Sequence, residues 1–149
     1  MKCLMSLFVF FFISCDFGDK KLMILNNTND TIFFSVSRDT VIKKYDKPLY
    51  YIDPNNKYIN ENCLMPNENE RCSMINTRWE DFINNEIPDK KLKIIFMTKK
   101  LLDNVKWEDV VKNQYYSRRL EFTVEELKKL NWKVVYSDSI DLNVGFNVK

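Results

Sequence analysis

Short apolar runs broken by asparagine-rich polar punctuation set the pattern of this chain. Leu22-Met-Ile-Leu25 reads as a buried strand, Asn26-Asn-Thr-Asn-Asp30 as a polar turn and Thr31-Ile-Phe-Phe-Ser-Val-Ser37 as a second strand. The two strands are expected to pair as an antiparallel hairpin. Leu49-Tyr-Tyr-Ile52 predicts a third, closed by a turn at Asp53-Pro-Asn-Asn56, where proline supplies a φ of about −65°. From Thr77 the pattern changes to short helices alternating with strands. Thr77-Arg-Trp-Glu80 has the spacing of a capping box, in which the Thr hydroxyl takes the N3 amide and Glu80 reaches back. Trp79, Phe82 and Ile83 then share one helical face, and Pro88 ends the helix.

Leu92-Lys-Ile-Ile-Phe-Met97 is the strongest strand candidate. Its nearly unbroken apolarity predicts burial on both faces and so a central place in a sheet. A second helix is expected over about Val105 to Asn113, with Trp107, Val110 and Val111 inward. Arg118 to Phe122 then forms a strand. Thr123-Val-Glu-Glu126 is a further capping box, opening a helix whose Leu127 and Leu130 face the core, and Trp132 to Tyr136 returns as a strand. One phrase recurs: Trp79-Glu-Asp-Phe-Ile-Asn-Asn85 matches Trp107-Glu-Asp-Val-Val-Lys-Asn113, and a strand follows each. Two copies of a helix-then-strand unit would produce this, as would chance between two short amphipathic helices. Both acid pairs fall in a first helical turn, where carboxylates favour the helix dipole, so a structural role is expected for them.

The fold class that follows is α+β: a mixed, partly antiparallel β-sheet, antiparallel at its start, with about three short helices. The helices are expected to pack mainly on one face through Trp79, Trp107, Leu127 and Leu130. Two strictly parallel crossovers are the alternative. By length, residues 22–149 form a single domain.

Composition removes several chemistries. The 149 residues include no histidine, no alanine and two glycines, Gly18 and Gly145. Without histidine there is no Ser-His-Asp or Cys-His arrangement and no ordinary zinc site, so no metal is expected. With no glycine between Asp19 and Val144, neither a P-loop nor a Rossmann fingerprint fits, and no cofactor is expected. Basic residues number 23 and acidic ones 21, interspersed, so there is no electrostatic footprint for nucleic acid. Carboxylate chemistry, which needs two well-placed acids, stays open.

The leader changes the picture more. Leu4 to Ile13 is almost wholly apolar behind Lys2, as in the core of a secretory signal, and too short to span a bilayer as a helix. Its end, Phe12-Ile13-Ser14-Cys15, resembles the bacterial lipobox, with Phe12 where that pattern prefers leucine. The resemblance implies a signal peptide over residues 1–14 and a palmitate-type acyl anchor on Cys15. A polar tether to residue 21 would follow, with Cys3 lost with the leader. It places the protein in a bacterial cell envelope, membrane-anchored and facing the periplasm or the cell surface. In such an exported chain Cys63 and Cys72 are expected to form a disulfide, which for so short a loop is worth roughly 2–3 kcal/mol. A metal clamp lacks further ligands nearby, and the spacing is not the redox Cys-x-x-Cys.

The ending from Arg118 to Tyr136, with Leu130-Asn-Trp132 before the last strand, resembles that of small uncharacterised Bacteroides-type lipoproteins. Phe122 stands where they have leucine. Their likeness implies location and fold and no reaction. Asp30-Thr31-Ile32, Asp39-Thr40-Val41 and Asp138-Ser139-Ile140 resemble the acceptor pattern those bacteria use for O-glycosylation, which makes Thr31, Thr40 and Ser139 candidates. The expected function is a non-enzymatic envelope module that binds a protein or a glycan. Tyr50, Tyr51, Tyr115 and Tyr116 are the aromatics that an exposed glycan site would use, and burial as plain packing is the expected fate of most of them. A hydrolase working through two carboxylates and an immunity or inhibitor lipoprotein are the alternatives.

Overall fold

The computed structural model describes residues 18–48 and 62–137. The leader, Cys15, the strand at Leu49, the Asp53 turn and Ser139 lie outside them. The described strands are β1 (Asp19–Asn27), β2 (Ile32–Ser37), β3 (Cys63–Leu64), β4 (Asn69–Met74), β5 (Leu92–Thr98), β6 (Arg118–Phe122) and β7 (Lys133–Ser137). They build two sheets, one ordered β4-β1-β7 and the other β3-β2-β5-β6. Every described pairing is antiparallel except β1 with β7, where Met23 to Asn27 run parallel to Lys133 to Ser137. The α+β class holds, with two sheets in place of the single sheet expected.

Inward residues of both sheets meet in one core. Leu22 and Ile24 from β1 and Val134 and Tyr136 from β7 face Ile32, Phe34, Ile94, Phe96 and Phe122 from the other sheet. The expected hairpin is therefore absent: β1 and β2 lie in opposite sheets. Alternation correctly marks which of their residues point inward, but an inward residue packs equally well within a sheet or across a sandwich. The choice is made at Asn26, which is fully buried. Its amide nitrogen donates to the carbonyls of Asp30, Leu64 and Met65 at 2.8, 3.1 and 3.0 Å, and its oxygen accepts from the Thr28 N–H and hydroxyl. Asn26 thereby ties the β1–β2 connection to the segment that leads from β3 back to β4, at one corner of the sandwich.

β5 sits between β2 and β6, and Leu92 to Met97 are all buried, as the unbroken apolar run predicted. Its second face carries a smaller cluster, with Phe33, Ile95 and Met97 against Leu102, Trp107 and Val110. The last three belong to α2 (Lys99–Asn104), which the sequence did not announce, and α3 (Trp107–Asn113). The helices are thus divided. Trp79 in α1 (Trp79–Asp81) and Leu127 in α4 (Val124–Lys129), with Leu130 beside it, pack into the core between the sheets, whereas Trp107 serves the opposite face.

The Thr123 capping box forms as its spacing requires, the hydroxyl taking the Glu126 N–H and the Glu126 carboxylate the Thr123 N–H. The one at Thr77 does not. The N-cap residue there is Arg78 and makes no side-chain cap bond. After one turn this helix widens into a π turn over Phe82–Glu86 and ends at Ile87, ahead of Pro88.

Candidate functional site

Two acids are brought together from far apart in sequence at the start of β1. Asp19 Oδ2 accepts from the Trp79 N–H at 3.0 Å, and the Asp19 carbonyl accepts from the Trp79 indole N–H at 3.0 Å. Asp19, the first residue of β1, thus replaces the cap that Thr77 was expected to supply. It is also a strand residue and not part of a tether, since β1 begins at Asp19 and includes Lys20 and Lys21. The Lys21 ammonium pairs with Asp19 at 3.0 Å and with Glu80, and lies 4.3 Å from the centre of the Trp132 ring.

That lysine decides what the acids can do. Partial burial pushes the Asp19 carboxyl up, but the Trp79 N–H and Lys21 outweigh it and hold the group below the usual carboxylate range. Burial acts on Glu80 in the same sense, and its bond to Lys21 again brings the net shift down. Lys21 is lowered by burial and raised further by Glu80 and Asp19, ending above an ordinary lysine. A general acid needs a carboxyl whose pKa is raised toward the working pH. Asp19 and Glu80 are shifted the other way and share the one cation between them, so the arrangement closes a helix start onto a strand.

Other charged groups are similarly committed. Lys93 is 2% exposed near the start of β5, and its ammonium reaches the Asp89 carboxylate. Burial raises Asp89 and Lys93 lowers it further, with a net downward shift. Asp46 accepts the Lys43 N–H at 2.7 Å. Among the described residues no three His, Cys, Asp or Glu side chains converge as a metal site, and no buried side-chain polar atom lacks a hydrogen-bond partner. Among the described residues a concavity of about 280 Å³ is lined by Phe34, Tyr45, Asp46 and Met97.

Cys63 and Cys72 are free thiols, so the disulfide expected between them is not formed. Cys63 on β3 packs into the helix-side cluster, and Cys72 on β4 packs against the core between the sheets. Their strands belong to different sheets, a separation that their short spacing in sequence hides. Burial pushes the Cys72 thiol up to about 12 and raises Cys63 as well, with nearby glutamates adding to both. Neither is a ready nucleophile at neutral pH.

Of the glycosylation candidates, Thr40 is exposed and Thr31 is half-buried, its hydroxyl 3.4 Å from the Met65 sulfur. Tyr115 is exposed, while Tyr116 is half-buried with the Arg119 guanidinium 5.7 Å from its ring centre. Tyr50 and Tyr51 lie outside the described residues. The most exposed aromatic described is Tyr45, which sequence pattern did not single out.

One surface stands apart. The outward residues of the three-stranded sheet, Met23, Leu25 and Val135, belong to neither apolar cluster. The register sets Leu25 beside Val135, and Met23 between Arg71 and Lys133, both exposed. In the four-stranded sheet β5 is buried on both faces, whereas β1 is buried on one, with Met23 and Leu25 half-buried and Val135 exposed beside them. Comparison with protein-family models, curated proteins and solved structures gives no match for this chain.

Proposed function

We propose that this chain is a non-enzymatic binding module of a bacterial envelope, tethered by lipid on Cys15, that takes a protein or glycan partner on the outward face of its three-stranded sheet. The observation that carries the reading is that open face: a small apolar strip, Met23, Leu25 and Val135, flanked by Arg71 and Lys133. Apolar centres rimmed by polar groups are where partners dock. The ion pairing of Asp19 and Glu80 through Lys21 supports binding over hydrolysis at that cluster, because it leaves neither of these two carboxyls poised to give up a proton.

Placement of a photo-crosslinking residue at position 135 in intact cells is expected to trap one defined envelope component, and at position 115 to trap none. Met23→Glu should abolish the adduct without unfolding the domain. Cys15→Ser should release the protein from the envelope fraction. Turnover of envelope glycans or peptides by the purified protein, lost in Glu80→Gln, would replace this reading with the hydrolase.

A further inference from the structure

The end of the three-stranded sheet nearest the leader has its own chemistry. Only Asp16, Phe17 and Gly18 separate Cys15 from the first residue of β1, a reach of about 14 Å at full extension. A lipid on Cys15 would therefore hold this end of the sheet within about 14 Å of the headgroups. β4 leaves the sheet here, since Met74 pairs with Asp19, and the next residue, Ile75, is 67% exposed. Arg78 follows, next to the Trp79 that Asp19 caps. The last turn of α4 arrives at the same end: Trp132 lies against Lys21, its carbonyl accepts the Met23 N–H, and the Lys128 carbonyl accepts the Asn131 N–H.

Lys20, Arg78, Lys128 and Lys129 are all exposed here. The nearby acids offset them only in part. Asp19 and Glu80 carry two charges against the one on Lys21, Asp81 is exposed on the first turn of α1 and Asp16 precedes β1, and a positive excess is left. A basic rim around one exposed aliphatic side chain is how a protein surface meets anionic lipid: charge draws it to the headgroups and the apolar residue enters the interface.

We infer that this end of the sheet rests on anionic phospholipid headgroups, with Lys20, Arg78, Lys128 and Lys129 supplying the charge and Ile75 the interfacial contact. The inference rests on the proposed lipidation of Cys15. It goes beyond that proposal by fixing orientation, with β1 rising from the membrane and the Met23–Val135 face turned sideways, open to a partner.

The test uses the full chain, processed in cells, with Ile75→Cys carrying an environment-sensitive dye, returned to vesicles of phosphatidylcholine with or without phosphatidylglycerol. The protein is expected to float with both. The dye should shift to the blue on the anionic vesicles alone, and high salt should reverse the shift by screening. Lys20→Glu, Arg78→Glu and Lys128→Glu together should lower the lipid-contacting fraction at least about tenfold. If that triple variant does not fold, the salt titration of the labelled parent carries the test.

Flotation with both vesicles and identical dye emission overturns the docking and leaves the anchor standing. Flotation with anionic vesicles alone, lost in the triple variant, supports the docking and removes the anchor. Flotation with neither overturns both.

Discussion

The phrase Trp-Glu-Asp opens two helices of this protein, and the copies end in different surroundings. Trp79 is 3% exposed between the sheets, and Trp107 is 8% exposed on the far side of the four-stranded sheet. Each indole N–H donates to a backbone carbonyl at 3.0 Å, of Asp19 and of Lys44 respectively. Beyond that the copies diverge. At Trp79 the acid after the indole is bound by Lys21, the backbone is capped by Asp19, and the helix opens into a π turn. At Trp107 the following acids are exposed, no side chain caps the N-terminus, and the helix stays α until Gln114 in the left-handed region. A local phrase therefore sets a helix start and an inward indole, while distant residues set what its acids do.

The widest separation between the two regions should come from removing the indoles. Trp79→Ala empties the larger cluster and takes the indole donor from the Asp19 carbonyl, for an expected loss of about 4–5 kcal/mol. Trp107→Ala should cost about 3 kcal/mol. Denaturant unfolding at constant slope would measure both, and equal losses would erase the distinction.

The polar pins of the two layers come next. Asn26 holds three carbonyls at the corner of the sandwich, and Asn26→Ala should cost about 2–3 kcal/mol. On the helix side Gln114 accepts from the Ile42 N–H at 2.7 Å and donates to the Ile42 carbonyl at 3.1 Å, in a half-buried position. Gln114→Ala should cost about 1 kcal/mol, read as a smaller drop in melting temperature.

A smaller contrast concerns the acids. Asp19→Asn should cost about 1 kcal/mol, as for a lost cap, and Asp109→Asn less than about 0.5 kcal/mol. The first loss should depend on pH. The Asp19 and Glu80 pKa values are depressed from 3.8 and 4.5, so their stabilisation is complete above those values and fades as pH falls through the lowered ones. That of Lys21, raised from 10.5, is complete below 10.5 and fades as pH climbs through the higher value. The gap between parent and Asp19→Asn should stay flat from about pH 5 to 10 and narrow in acid, by urea titration at each pH. A gap of the same size at pH 2 would separate the cap from the ion pair.

At neutral pH the thiols should give the least change in stability and a clear change in reactivity. Peptide mapping after brief alkylation should leave Cys63 and Cys72 unlabelled in the native protein and label both after denaturation. Because the folded Cys72 thiol is raised from 9.0 to about 12, stability should decline as pH rises past 9, where the unfolded thiol ionises first. A Cys63–Cys72 peptide linked by sulfur in non-reduced digests would contradict the free pair.

Local signals were the legible ones. The Thr123 box and the burial of β5 follow from spacing and apolarity that act within a few residues. The candidate surface was not legible: Met23 and Leu25 look as apolar as Leu22 and Ile24, and nothing nearby says which alternate set stays outside. The Asp19–Lys21–Glu80 cluster was hidden for another reason. Its bonds join residues 59 and 60 apart, and the Thr77 spacing suggested a local cap that the fold does not use.

By itself the sequence determined the repertoire of elements and the chemistry open to them: helix starts, strand alternation, a doubly buried strand, and the absence of histidine. Tertiary structure decided pairing. Alternation can commit a residue to the interior without naming its neighbour, because apolar burial has no direction. Directional bonds of buried polar groups such as Asn26 and Asp19 supply the choice, and those form only once distant segments meet.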